Sequence, residues 1–334
     1  MTTSDAVPRP PLVVPAVLVS ALSGAFVAVQ GRLNGDLSAA GAGALVATWL
    51  SYVGTLVTVA AVVALQGRAA VTARILRHDA RWWWYAVGLC GVPIVITFAL
   101  GIPIVGVAVA SVCAVAGQTV AGLGLDARGI GVPEPLRPTG RRLVAALVAV
   151  AGLAAAVGSG SGSGTGSTGS GVSTGTVVGL GVLMFVGGAV LTGQQAGNGR
   201  VNLLTGDAVL PALTSSAGGT VGVTLLVALA AAAGRLGAVD LPGPARWYLY
   251  LGGPLGAAIT VAAAWAIRHL GTFALTLGVV GGQMLTAVVV DLVGGVGVRW
   301  STVAAVLLTT TATALVVLPS RARARPTTAP DDSA

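Results

Sequence analysis

Apolar runs of about twenty residues recur along the whole sequence, and this feature constrains the fold more than any other. A helix needs about 20 apolar residues to cross the roughly 30 Å hydrocarbon core of a bilayer. Hydrophobic residues make up 55% of the chain and charged residues only 8%, whereas soluble domains carry about 25% charged residues. The charged faces of soluble amphipathic helices are missing from these runs. The sequence therefore predicts an all-α integral membrane protein.

An ordered set of polar positions occurs twice, once in each half of the chain. The second copy lies 164 residues after the first at the start and 165 residues after it later on. An ordered series that includes glutamine, asparagine, tryptophan and aspartate is not expected from composition alone, so the chain is a tandem duplication. The matched pairs include Gln30 with Gln194, Asn34 with Asn198, Ser51 with Ser215, Trp82 with Trp247, Gln118 with Gln283 and Asp126 with Asp291.

The hydropathy pattern predicts five membrane spans in each half, ten in all. A tight turn is expected at Gly101-Ile102-Pro103, between spans three and four. Pro211 stands where the first half has Ala47 and is expected to kink span seven. The predicted spans are residues 11–30, 42–65, 83–100, 105–125 and 143–157, then 177–195, 208–233, 247–267, 271–290 and 301–318.

The same pattern divides the chain into two repeats with polar ends. Residues 1–10 and 320–334 are polar and are expected to be disordered, while residues 11–158 and 176–319 form the first and second five-helix repeats. Residues 159–175 are almost entirely Gly, Ser and Thr, a composition typical of flexible linkers.

Arginine distribution predicts the orientation in the membrane. The chain has no lysine, and fourteen of its 18 arginines fall on one side of the predicted spans. Positively charged loops stay in the cytoplasm, which places both termini inside and the linker outside. Because five is an odd number, the second repeat enters the membrane from the opposite face, as in transporters built from inverted-topology repeats.

The repeated motifs resemble a known family. Gln-x-x-x-Asn in the first span and Ala…Ser-x-x-Gly in the second are similar to the drug/metabolite transporter superfamily. The later Trp…Gly-x-x-Gly, Gly-Gln and Asp-x-x-Gly signatures resemble its YdcZ-like branch, over about residues 12–318. The resemblance implies the fused ten-helix form of the EamA-like bundle, located in a bacterial inner membrane and acting as an exporter of unassigned substrate.

Polar residues within the spans are the candidates for a substrate site. Gln30 and Asn34, and Gln194 and Asn198, form two amide clusters near the ends of spans one and six. These amides either cap and join helices or face a cavity as neutral donors and acceptors. Gln118 and Gln283 lie near the middle of spans four and nine by residue count. Each follows a glycine, so its amide either bonds to a closely approaching backbone or binds substrate. Our hypothesis is that these two glutamines line a central site, with the amide clusters nearer the two gates.

Two aspartates also fall within or beside spans. Asp126 is followed by Ala-Arg-Gly and is expected at the cytoplasmic interface, whereas Asp291 has a more apolar setting. Ionisable groups inside a membrane are candidates for proton coupling, and closing a helix end is the alternative role.

The sequence therefore favours a secondary transporter that moves a small molecule by alternating access between inverted repeats. The alternatives are a membrane scaffold or sensor that transports nothing, and an intramembrane enzyme acting on lipid-linked substrates. The residues predict no metal site, cofactor, nucleophile motif or nucleic-acid partner. They leave open the substrate, the direction of transport, the coupling ion and whether the protein forms a homodimer.

Overall fold

The computed structural model describes residues 12–130 and 173–295, with isolated positions between 139 and 151 and between 300 and 308. The expected fifth and tenth spans, both chain ends and residues 159–172 of the expected linker fall wholly or largely outside these ranges. Within the described ranges every regular element is helical.

The first half consists of two long helices, two short ones and a third long helix. Helix α1 passes through a π-helical segment into α2, and an amphipathic α3 follows on the arginine-rich side. A 3-10 segment joins α4 to α5. The bounds are α1 Val13–Leu37, the π segment Ser38–Ala42, α2 Gly43–Leu65, α3 Ala69–His78, α4 Trp82–Ala86, the 3-10 segment Val87–Gly91 and α5 Val92–Ala127.

The second half repeats the order of the long helices, without separate counterparts of the π-helical segment, α3 and α4. Its elements are α6 Thr174–Thr205, α7 Val209–Ala232, the 3-10 segment Pro244–Leu251 and α8 Gly252–Val293. Among the described residues, six helical stretches are long and apolar enough to cross a membrane. They are Val13–Leu65, Trp82–Ala127, Thr174–Thr205, Val209–Ala232, Pro244–Leu270 and Leu275–Val293.

Helix α5 consists of two arms that meet at Gly106. This glycine has φ +82° and ψ +164°, a conformation that the Cβ of other residues excludes. The turn expected at Gly101-Ile102-Pro103 is wrong, because these residues are helical and the break comes three residues after Pro103. Pro103 removes one helical hydrogen bond, but only the glycine permits the change of backbone direction.

The two arms of α5 run in opposite directions along α6. The first arm is antiparallel to α6, because its successive residues contact earlier and earlier residues of α6. The second arm is parallel to α6, because its successive residues contact later and later ones. The first series pairs Val87 with Gly197, Ile94 with Gly187 and Gly101 with Met184, and the second pairs Ala114 with Gly188 and Gln118 with Thr192. The chain therefore doubles back at Gly106.

Helix α8 doubles back against α1 in the same way. Its first arm runs against α1 and its second arm runs along α1, so the reversal lies between residues 259 and 278. The first series pairs Gly252 with Asn34, Gly256 with Gln30 and Ile259 with Ser23, and the second pairs Gly278 with Val17, Gly282 with Ala21 and Gly294 with Arg32.

Glycines allow these arms to pack backbone against backbone. A Cβ added to Gly117 would lie 1.8 Å from the carbonyl oxygen of Phe185, and one added to Gly282 would lie 1.7 Å from that of Ala21. Small residues at helix crossings are what helices in lipid use to approach closely, since water does not drive them together. The two contacts occupy equivalent places in the two halves.

Pro211 does not kink the helix that contains it, so that expectation is wrong. It is the third residue of α7, which runs unbroken from Val209 to Ala232. In the first turn of a helix the backbone N–H has no partner within the helix, and a proline there removes no hydrogen bond.

Candidate functional site

A cavity lies between six helical segments, three from each half of the chain. Helices α1 and α2 and the first arm of α5 line it on one side, and α6, α7 and the first arm of α8 line it on the other. The centre of a water molecule can reach about 90 Å³ of this cavity. One water needs about 10–15 Å³ by that measure, so several waters or a small organic molecule fit.

Equivalent positions of the two halves line this cavity. Most lining residues of the first half have a counterpart 164 or 165 residues later that also lines the cavity. The cavity therefore lies on the line of symmetry between the halves. The lining pairs are Val27 with Leu191, Gln30 with Gln194, Ser51 with Ser215, Tyr52 with Ser216, Gly91 with Gly256, Ile94 with Ile259 and Val95 with Thr260.

Gln30 has a fixed orientation in this lining. Its Nε2 donates to the backbone carbonyl of Gly252 at 2.8 Å and to the hydroxyl of Ser51 at 3.3 Å. A carbonyl oxygen can only accept, so the nitrogen and not the oxygen of the amide must face Gly252. Oε1 of Gln30 has no hydrogen-bond partner among the described residues and is left as an acceptor. Asn34 Nδ2 also donates to Ser51 Oγ at 3.3 Å, which joins α1 to α2.

Gln194 faces the cavity without such an anchor. The residue is 8% exposed, and its amide has no hydrogen-bond partner among the described residues. It lies against Gly91, where an added Cβ would be 2.0 Å from Gln194 Oε1 and 2.6 Å from the Tyr52 hydroxyl. Asn198, one turn further along α6, is buried outside the lining.

The two amide clusters thus lie closer together than the sequence suggested. Gln30, Asn34 and Gln194 line one cavity and are not distributed between two gates. Gln118 and Gln283 are absent from the residues that line it. Gln118 is 1% exposed, and its backbone carbonyl accepts the Thr192 hydroxyl at 3.3 Å. Gln283 is fully buried and donates to Ser111 Oγ at 3.1 Å, so both glutamines lie in helix contacts.

Asp291 binds the start of the second arm of α5. Its two carboxylate oxygens accept the backbone N–H groups of Val107, at 3.1 Å, and Ala108, at 2.8 Å. These are the first amides after the break at Gly106, and they have no partner within their own helix. Asp126 occupies the equivalent position in the first repeat and is fully buried. Neither aspartate lines the cavity.

Hydroxyl groups complete the lining, and sequence reasoning passed over most of them. Ser51 and Ser215 were matched as a repeated pair, but the hydroxyls of Tyr52, Thr55 and Thr260 carried no signal among many similar residues. The repeat alignment could have found two of them, because Thr55 and Thr260 lie one helical turn after the matched Ser51 and Gly256.

Two contacts join the halves at opposite ends of the bundle. At the arginine-rich end, Arg68 after α2 forms an ion pair with Asp207 before α7. Asp207 Oδ1 also accepts the N–H of Val209 at 2.8 Å and caps α7. At the other end, the N–H of Asp240 donates to the carbonyl of Gly41 at 3.1 Å.

Comparison with known proteins identifies the family. The sequence matches the family described as "Putative inner membrane exporter, YdcZ" over residues 15–155 and 180–318, which is most of both repeats. A solved structure titled "Crystal structure of protein" is similar with a TM-score of 0.63 at 15% identity, covering 93% of this chain and 99% of that one. At that identity the likeness concerns the fold alone. No curated protein matches the sequence.

The matched family is described as one of inner membrane exporters and not of enzymes, and the long apolar helices indicate a multi-pass membrane protein. The chain belongs to the YdcZ-like branch of the drug/metabolite transporters.

Proposed function

We propose that the protein is a secondary transporter that exports a small molecule across the plasma membrane by alternating access. The main support for this proposal is the cavity, which both halves line at equivalent positions. Substrate sites of inverted-repeat transporters lie at the interface between the repeats. Gln30, Asn34 and Gln194 are then substrate-binding residues, while Gln118, Gln283 and Asn198 lie outside the cavity lining.

Ten helices in two inverted repeats are part of this proposal. Two reversals, at Gly106 and between residues 259 and 278, divide the described part of the chain into eight spans. Residues 143–157 and 301–318 would supply one further span per repeat. Helix α1 runs parallel to the first arm of α5, with Gly31 at Phe98 and Gly35 at Ile102, whereas α6 runs antiparallel to that arm. The equivalent helices α1 and α6 therefore run in opposite directions, which supports an inverted topology of the two repeats.

The contacts at the two ends of the bundle are candidates for the gates. The Arg68–Asp207 ion pair and the Gly41–Asp240 hydrogen bond each cross between the halves. In alternating access one end must open while the other stays closed. The arginine-rich end carrying Arg68 is then cytoplasmic, with both termini on that side.

A ligand screen followed by a flux assay tests the proposal. Compounds that raise the apparent melting temperature of the purified protein are expected to exchange across vesicles that contain it, since a ligand of the native state stabilises that state. Gln194→Met should remove both effects. Gln195→Met is the matched control, because Gln195 is the next residue on α6 and is equally buried but lies outside the lining.

The two readouts separate the proposed function from its alternatives. A ligand that depends on Gln194 and binds without crossing the vesicle membrane would indicate a sensor or scaffold. Chemical conversion of a bound ligand by the purified protein would indicate an intramembrane enzyme.

A further inference from the structure

Uncharged groups supply all the polar side chains that line the cavity in the described part of the chain. They are the amides of Gln30, Asn34 and Gln194 and the hydroxyls of Ser, Thr and Tyr residues. Apolar side chains, among them Ile94 and Phe98, form the rest of the wall. A charge moved from water into such surroundings costs several kcal/mol unless an opposite charge or a full set of hydrogen bonds compensates it.

The buried and half-buried charges that the structure describes already have partners elsewhere. Asp291 binds two backbone N–H groups, Arg32 pairs with Asp36 at 2.8 Å, and Arg68 pairs with Asp207. None of these residues lines the cavity. Releasing one to neutralise a charged ligand would break its own contact, so the cavity favours ligands that bring no net charge.

The anchored amide of Gln30 requires a hydrogen-bond donor on the ligand. Because Nε2 of Gln30 is committed to Gly252 and Ser51, only its Oε1 is left for a ligand, and a carbonyl oxygen binds N–H or O–H groups. Gln194 has both amide atoms unengaged among the described residues, so it can accept from the ligand and also donate to it. Two glutamines on opposite sides of the symmetry line thus suit a ligand with a primary amide or a hydroxyl.

We propose that the transported molecule is small and uncharged and carries an N–H or O–H donor beside an apolar portion, with Gln30 and Gln194 selecting for it. This inference rests on the proposed transport function, which it narrows to a substrate class.

Three probes of one size and different charge test the selection: benzamide, benzoate and benzylammonium. We expect benzamide at millimolar concentration to raise the melting temperature of the purified protein at pH 7. The two charged probes should bind at least tenfold more weakly, because the cavity residues offer them no compensating charge. Gln194→Met should abolish the response to benzamide, and Gln195→Met should retain it.

A second variant introduces a charge into the cavity lining. Gln194→Glu places a carboxylate where the unanchored amide stands, so it should move the preference from benzamide to benzylammonium by at least tenfold. The inference is overturned if benzamide fails to bind the wild-type protein, or if a charged probe binds it equally well. It is also overturned if the benzamide response survives Gln194→Met.

Flux in vesicles distinguishes failure of this inference from failure of the transport function. Benzamide that binds at the cavity and does not exchange would contradict transport while leaving the binding preference intact. Exchange of benzylammonium or benzoate by the wild-type protein would support transport and overturn the proposed substrate class.

Discussion

Single residues in this protein act mostly by satisfying backbone groups that lipid cannot hydrate. Gln30 binds the carbonyl of Gly252, and Asp291 binds the N–H groups of Val107 and Ala108. A buried polar group without a partner is expensive in hydrocarbon, so a side chain that supplies the partner stabilises a helix in another part of the fold. Gln30 thus lines the cavity with an amide whose Nε2 already joins α1 to α8.

Asp291 provides a prediction that separates a structural role from proton coupling. Asp291→Leu leaves two buried N–H groups unsatisfied and should reduce the free energy of unfolding by about 2–3 kcal/mol, measured by denaturation in mixed detergent micelles. Asp291→Asn keeps one acceptor and should lose less, with exchange activity retained. Asp36→Leu is the control, because the Asp36 side chain is 40% exposed and such a pair contributes only about 0–1 kcal/mol. A stable Asp291→Asn protein without exchange activity would instead support proton coupling.

Helices of this bundle meet at glycines, and the same crossings occur in both halves. Gly24 lies against the carbonyl of Val279, and the equivalent Gly188 lies against that of Ala114. Each crossing joins one repeat to the other. Substitutions at these glycines therefore act on the interface between the repeats and only secondarily on the helix that contains them.

Gly117→Ala tests this packing. The added Cβ would meet the Phe185 carbonyl at 1.8 Å, so the second arm of α5 must move away from α6. Such overpacking should reduce the free energy of unfolding by about 1–3 kcal/mol, and Gly282→Ala should behave alike. Gly193→Ala is the matched control on α6, since its Cβ meets nothing within 4 Å. Because alanine is the better helix former, Gly193→Ala should be neutral or stabilising, and an equal loss there would mean that the close contact at Gly117 does not decide the effect.

The ion pair between Arg68 and Asp207 provides a prediction about access to the cavity. Arg68→Ala should raise the rate at which a cytoplasmic reagent labels a cysteine at position 51 in the cavity lining, in a protein lacking Cys90 and Cys113. Because a partly exposed pair contributes up to about 1 kcal/mol, we expect an increase of up to about fivefold. Arg74→Ala on α3 removes a charge that has no ion pair among the described residues and should leave the rate unchanged. A slower rate after Arg68→Ala would exclude a gating role.

Sequence reasoning predicted the elements better than the site. Hydropathy located the long apolar helices of the described ranges, and the duplication matched Gln30 with Gln194 before any contact was known. It placed the turn between spans three and four at Gly101-Ile102-Pro103, whereas the chain reverses at Gly106, whose positive φ depends on packing. Depth counted along a helix put Gln118 near the midplane, but it says nothing about which way the side chain faces. Rotation about the helix axis decides whether a residue lines a cavity, and it is set by contacts between helices.

At the scale of the whole molecule, the two repeats are interleaved. Helix α1 packs along both arms of α8, and α6 packs along both arms of α5. Each repeat therefore completes the other, and the cavity exists only where both are present.

Orientation in the membrane is the first prediction at this scale. A cysteine near Arg74 or at the carboxy terminus should react with an impermeant reagent only after the membrane is opened, and one at Thr165 should react in intact cells. Cys90 and Cys113 are removed beforehand. Labelling of the carboxy terminus from outside would contradict the orientation inferred from the arginines.

The second prediction at the scale of the whole molecule concerns separate expression of the two halves. Residues 1–165 and 166–334 should accumulate and bind ligand together, because the contacts between the repeats do not need a covalent link. Deleting several residues of the 159–175 segment should likewise leave accumulation unchanged. Either half alone should accumulate poorly, since the partners of α1 and of α6 lie in the other half. A half that is stable alone would contradict the interleaving.

The pairing of α1 with α8 also has a consequence for synthesis in the cell. Gly24 cannot make its contact with Val279 until the ribosome has added 255 more residues. At about 5–20 residues per second this delay is roughly ten to fifty seconds. During that time the first hairpins already lie in lipid, and the Gln30 amide lacks the Gly252 carbonyl to which it donates in the folded protein. The nascent chain is then a substrate for membrane insertases and quality-control proteases, and slow translation of the second half should lower the yield of folded protein.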